Sequence, residues 1–194
     1  MSRNLKRGMV HIAAALLIAA LALIVSRPLM ILILGIFTNV FLVLDLIRLR
    51  WQQLNLFFTM MVGMFMRDYE VKRITGASFM LLGSLACMVL YGNEITVLAV
   101  SFLAIGDPLA HFVDDRWGKT KIGRKSVQGT IACFIGSAII GLLWYANSLD
   151  TNLAVIFTGA AAASIAHLLP VDIDDNLTIP VLSGGAMWLL HLVV

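Results

Sequence analysis

An aspartate inside an otherwise apolar run is the strongest chemical signal in this sequence. Asp107 follows Leu103, Ala104, Ile105 and Gly106 and precedes Pro108, Leu109, Ala110 and His111. A carboxylate at membrane depth costs about 2.5–3.5 kcal/mol on insertion scales, so such residues line cavities or bind ions. Gly106 permits close backbone approach and Pro108 lacks a backbone donor, so the helix is expected to break or kink there. If helical spacing persists, His111 and Asp114 share the face of Asp107 at i+4 and i+7. The competing reading is an aspartate paired with a buried cation for packing alone.

Two further clusters carry charge of opposite sign. Arg116, Lys119, Lys121, Arg124 and Lys125 fall in one glycine-containing loop that leads through Ser126 to Gly129 and the start of a helix. A helix amino terminus with free N–H groups suits an anion, and lysine supplies point charge to phosphate. The loop is not a Walker A motif, because GxxxxGK(S/T) is absent. Asp172, Asp174, Asp175 and Asn176 form the second cluster, between Pro170 and Pro180. Carboxylates stacked this closely repel unless a cation joins them, and Mg²⁺ favours a few hard oxygen ligands shared with phosphate. A fourth, weaker segment runs from Glu70 through Lys72 and Arg73 to Thr75 and Gly76, and Arg7 precedes His11 by one helical turn.

The elements that must position these groups are membrane helices. Of the 194 residues, 60% are apolar and 13% charged, about half the usual charge of a soluble domain, and the mean hydropathy is +0.95. The pattern predicts an all-α, polytopic transmembrane bundle in one catalytic domain covering 1–194. Its seven spans lie at roughly 9–26, 28–47, 74–92, 94–113, 127–147, 152–169 and 177–194. Trp51 to Met66 is apolar but short, and reads as an interfacial or re-entrant helix. The first apolar stretch follows Arg3, Lys6 and Arg7 and reads as a retained helix rather than a signal peptide. Cys87 and Cys133 lie alone in apolar runs and read as small core residues.

Charge orients the bundle. With an inside amino terminus, 13 of the 14 lysines and arginines fall in inside segments, and only Arg27 lies outside. This is the positive-inside pattern, so the net charge of +3 reflects orientation rather than a nucleic-acid partner. Most acids share that side, although acids contribute little to orientation. The cytoplasmic face is therefore where chemistry is expected.

Taken together, the clusters resemble the dolichol kinase, phytol kinase and yeast-type CTP-dependent diacylglycerol kinase family, which is related to phosphatidate cytidylyltransferases. The resemblance runs from Lys6, Arg7 and His11 through Glu70, Arg73, Ile74, Thr75 and Gly76. It continues through Gly106, Asp107 and Ala110, then Gly118 and Lys119, then Lys125, Ser126 and Gly129, to Asp174, Asp175, Asn176, Leu177, Thr178, Ile179 and Pro180. It implies CTP-dependent transfer of the γ-phosphoryl group to the hydroxyl of a membrane lipid alcohol (prenol, polyprenol or diacylglycerol), assisted by Mg²⁺ or Mn²⁺. On that implication Asp107, Asp174 and Asp175 hold the metal, with Asp107, Lys125 and Asp175 catalytic. Arg73, Lys119, Lys125, Ser126, Gly129 and Asn176 bind the nucleotide. A prokaryotic inner membrane suits the small size.

The chain departs from the family pattern at two places. Asp114, followed by Asp115, stands near a position where the family commonly has glycine, and His167 where it commonly has a glutamate. Histidine has a different metal preference from a carboxylate. Two other functions compete: a cytidylyltransferase, which would release pyrophosphate, and a lipid or ion transporter using Asp107. The acceptor and the oligomeric state are left open by the sequence.

Overall fold

The computed structural model describes residues 3–147 and 149–193. Eight α-helices account for most of them: α1 Arg3–Ile24, α2 Arg27–Arg50, α3 Gln52–Val62, α4 Gly76–Tyr91, α5 Asn93–Trp117, α6 Val127–Ala146, α7 Leu153–Leu168 and α8 Asp175–His191. Seven match the expected spans, with α1 beginning earlier and α5 ending later than predicted. The eighth, α3, is the short extra helix. It has no buried residue and presents Leu56, Phe57, Met60 and Met61 outward. The chain is an all-α polytopic membrane bundle.

Among the described residues, four helices are long and apolar enough to cross a membrane: α1 from Lys6, α2, α5 and α6. The apolar helices α4 and α7 have only 16 residues each, and α8 has 17. Local sequence explains where the helices start. Pro28 sits in the first turn of α2, where its missing N–H is not needed. Asn152 accepts from the Val155 N–H to cap α7. Thr75, Ser126 and Asp174 cap α4, α6 and α8 in the same way.

Helix α5 is the hub, packed against α1, α4, α6, α7 and α8. Its buried side chains Leu98, Phe102 and Leu103 join Ile156 of α7 and Met187 of α8 in the core. The expected break at Gly106–Pro108 does not occur: α5 stays helical from Asn93 to Trp117 with Pro108 inside it. Neighbours on so many sides hold the axis despite one lost backbone bond. Gly106 serves packing instead, because a Cβ there would lie 2.5 Å from Ser137 Oγ on α6. Ser137 Oγ and the backbone of Cys133 occupy that space.

Between α3 and α4 the chain makes two 3₁₀ turns, Gly63–Phe65 and Asp68–Lys72. This connection is tied down by a buried ion pair. Arg48 Nε lies 2.6 Å from Asp45 Oδ1, and both side chains are almost wholly enclosed. Asp45 Oδ2 accepts from the Thr75 N–H, Thr75 Oγ1 and Ser78 Oγ. Arg48 donates to the carbonyls of Glu70 and Arg73 and to Asn55 Oδ1. Every nitrogen of the guanidinium and both oxygens of the carboxylate have a hydrogen-bond partner, as a buried pair requires. Asp45→Ala strands the guanidinium and is expected to cost about 3–5 kcal/mol, read as thermal unfolding in detergent. Faster amide exchange at 67–75 should accompany the loss.

Candidate active site

The amino termini of α4, α6 and α8 and the last third of α5 meet at one end of the bundle. Helix α5 contributes Asp107, His111 and Asp114 from one face, α7 contributes His167 from its last turn, and α8 begins with Asp175. The loop after α5 is a small hairpin, β1 Lys121–Ile122 and β2 Lys125–Ser126, paired Lys121↔Ser126 and Ile122↔Lys125. Gly123 turns it with a φ of 63°, a conformation that favours glycine. This hairpin brings Lys125 over α8.

The resulting contacts form a compact charged centre. Lys125 Nζ donates to Asp175 Oδ1 at 2.6 Å. The other oxygen of Asp175 is 3.6 Å from His167 Nδ1, which is also 3.6 Å from Asp107 Oδ1. His111 Nε2 lies 3.3 Å from Asp107 Oδ1 and 4.0 Å from Asp175 Oδ2. On its far side His167 Nε2 meets Asp114 Oδ2 at 3.2 Å. Asp114 Oδ1 accepts from Ser126 Oγ, which itself accepts from the Gly129 N–H. Lys121 Nζ donates to the Asp114 carbonyl. The two positions that depart from the family pattern, Asp114 and His167, are therefore partners.

One ligand atom each from Asp107, His167 and Asp175 lie within 4.8 Å of one another, and all three residues are buried. Asp107 Oδ1 and His167 Nδ1 are enclosed and lack a hydrogen-bond partner among the described residues. Orphaned acceptors facing each other fit a bound cation. Asp174 stands outside this group. Its Oδ1 caps α8 through the Asn176 N–H, and its Oδ2 faces Arg67 Nη1 at 3.6 Å and the Tyr69 hydroxyl at 3.3 Å.

The segment after α3 closes one side. Arg67 Nη2 reaches 3.4 Å from His111 Nε2, and Arg67 Nη1 donates to the Tyr69 hydroxyl. Burial opposes the charge on Arg67, but Asp107, Tyr69 and Asp174 outweigh it and raise its pKa. Burial likewise raises Tyr69, against the pull of Arg67. Glu70 bridges the Arg67 and Gly76 N–H groups, and burial raises its pKa despite those two bonds. Asn176 Nδ2 donates to the Gly76 carbonyl, locking α8 to α4.

The remaining predicted residues spread around this centre. Arg73 is exposed and lines a cleft of about 570 Å³ with Tyr69, Phe79, Arg124, Asp172 and Asp174. Lys119 is exposed, and its backbone N–H is pinned to Gln128 Oε1. Ser126 and Gly129 are buried at the start of α6, engaged with Asp114 rather than open to the cleft. Residue types and spacing did not single out Arg67, although its position opposite Trp51 across an apolar stretch was visible. Arg124 was visible only as one cation among several.

Fold and centre together define a polytopic helical membrane protein with a buried carboxylate–histidine–lysine site at one end. Comparison with known proteins narrows this. The chain is 27% identical over 166 residues to CTP-dependent diacylglycerol kinase 1 of Saccharomyces cerevisiae, covering 73% of this chain and 57% of that one. It is 26% identical over 161 residues to the protein of the same name in Schizosaccharomyces pombe, covering 75% and 74%. An uncharacterised protein of Rickettsia prowazekii is 28% identical over 181 residues, covering 90% and 88%. The chain thus spans little more than half the length of the Saccharomyces relative. No family model matches, and no solved structure does. Relatives at 26–28% identity over about 75% of the chain support the CTP-dependent diacylglycerol kinase and dolichol kinase family.

Gly129 offers a direct test of the geometry. A Cβ there would overlap the Asp114 carboxylate. Gly129→Ala is expected to cost about 1–3 kcal/mol of stability. Combined with Asp114→Gly, the loss should be smaller than the sum of the two single losses in a double-mutant cycle of unfolding. Strict additivity would refute the contact.

Proposed function

We propose that this protein is a CTP-dependent lipid kinase that phosphorylates the hydroxyl of a membrane lipid at the cytoplasmic face, with diacylglycerol the acceptor favoured by the named relatives. The observation that carries the reading is the meeting of Asp107, Lys125 and Asp175, which come from three distant stretches of sequence. Phosphoryl transfer needs positioning and charge neutralisation more than covalent chemistry, and this centre offers both.

In the transfer, the bond from the γ-phosphorus to the oxygen of the CDP leaving group breaks and a bond to the lipid hydroxyl oxygen forms. The hydroxyl proton passes to a carboxylate, Asp107 in this reading. Lys125 meets the phosphate oxygens, and the amino termini of α4, α6 and α8 add favourable dipoles. Arg73 and Arg124 hold the nucleotide along the cleft, with Lys119 at its exposed edge. Ser126 and Gly129 act by holding Asp114, and Asn176 by fixing α8. A divalent cation, held by Asp107 and Asp175, supplies neutralisation of phosphate charge when bound. The inside placement rests on the distribution of lysine and arginine. The lipid tail stays in the bilayer while its hydroxyl reaches the centre.

Purified protein given CTP and diacylglycerol is expected to release CDP and form phosphatidate, with ATP a poor donor. Prenols and polyprenols in the same assay define the acceptor. Asp107→Ala and Lys125→Ala should each lower turnover by at least about 100-fold while the protein still reaches the membrane. Pyrophosphate release from a phosphorylated acceptor would instead identify a cytidylyltransferase.

A further inference from the structure

His167 carries the clearest unassigned feature of the site. Its side chain is wholly buried, yet Nδ1 has no hydrogen-bond partner among the described residues. The opposite nitrogen, Nε2, faces Asp114 Oδ2 at 3.2 Å. Asp114 is in turn held through its other oxygen by Ser126 Oγ, and as a carboxylate it accepts a hydrogen bond from Nε2–H. The imidazole is then left with its Nδ1 lone pair pointing at two carboxylates.

A lone pair facing two acceptors is unfavourable unless something positive lies between them. A proton on Nδ1 answers this by charge alone, because both carboxylate oxygens are 3.6 Å away, beyond the range of a good N–H···O bond. A metal ion answers it well. Neighbouring ligand atoms of an octahedral ion with bonds of about 2.1 Å lie roughly 3.0 Å apart, so the two 3.6 Å separations need to close by only about 0.6 Å around an ion. Lys125 occupies the other oxygen of Asp175, leaving Oδ2 free for a cation.

We propose that His167 Nδ1 is a metal ligand, completing an Asp107–His167–Asp175 set in which Asp114 orients the histidine, and that the site therefore prefers Mn²⁺ to Mg²⁺. This deepens the kinase reading and rests on it for the role of the ion, though not for its binding. A carboxylate that takes the second ring N–H of a ligating histidine is the usual device for setting tautomer and ring angle. Mg²⁺ strongly favours oxygen ligands, whereas a mixed nitrogen–oxygen set accepts first-row transition ions. Asp174, occupied with capping α8 and facing Arg67, is left out of the set.

The test uses the full-length protein in lipid nanodiscs, titrated with Mn²⁺ and followed by electron paramagnetic resonance. Stoichiometric binding with a directly bonded ¹⁴N coupling in pulsed spectra is expected, with at least a 10-fold excess of Mg²⁺ needed to displace half the Mn²⁺. His167→Glu should abolish the coupling and narrow the preference for Mn²⁺, whereas His111→Gln should leave the coupling in place. Asp114→Asn should weaken Mn²⁺ binding by about 10- to 100-fold. Absence of Mn²⁺ binding, binding without nitrogen coupling, or coupling that persists in His167→Glu would overturn the proposal. CDP release measured separately distinguishes the two readings. Nitrogen coupling without CTP turnover sinks the kinase and leaves the metal set, and turnover without coupling does the reverse.

Discussion

Three carboxylates cannot be buried side by side without positive charge among them, and this requirement organises one whole end of the molecule. Asp107, Asp114 and Asp175 are nearly inaccessible, and isolated anions in such surroundings are strongly disfavoured. The groups that meet them come from separate parts of the chain: Lys125 from the hairpin donates to Asp175, His167 from α7 faces all three, and Arg67 from the connection after α3 adds its charge near Asp107. Each partner fixes the position of the element that bears it. The centre therefore acts as the fastener of the bundle as well as its candidate chemistry, so perturbing it is a matter of stability as well as turnover.

The knot around Asp45 and Arg48 plays a supporting part. It holds no residue of the centre directly, yet it determines where the Arg67–Arg73 segment lies. Arg48 spends its donors on the carbonyls of Glu70 and Arg73, so Arg67 approaches His111 from a fixed anchorage. Positioning in this molecule is achieved in layers. Ser126 and Gly129 place Asp114, and Asp114 places His167.

Much of this was legible in the sequence, for identifiable reasons. Apolar length and turn residues mark the helices, and the i+4 and i+7 spacing of His111 and Asp114 put them on the face of Asp107, where the structure has them. The meeting of Asp107, Lys125 and Asp175 was expected because the predicted spans put all three toward the same end of the helices. Three things were not legible. Pro108 is an ordinary helix breaker, and only packing on many sides explains why α5 continues. The hairpin at Lys121–Ser126 has strands of two residues, too short for an alternation pattern to register. The capping role of Asp174 could not be separated from that of Asp175 by residue type, because the helix boundary falls between them. His167 was visible only as a departure from a pattern, and its tie to Asp114 spans 53 positions of sequence.

The unequal lengths of the helices bear on the surrounding lipid. At a rise of 1.5 Å per residue, a 16-residue helix such as α7 covers roughly 24 Å, against a hydrocarbon thickness near 30 Å. Helix α7 still turns Leu153, Phe157 and Ile165 outward, so one flank of the protein presents a low hydrophobic wall while α2 presents a tall one. Acyl chains beside the low flank must compress or the whole body must lean, at a fraction of a kcal/mol per ångström. A bilayer thinner than usual would fit that flank at the least cost.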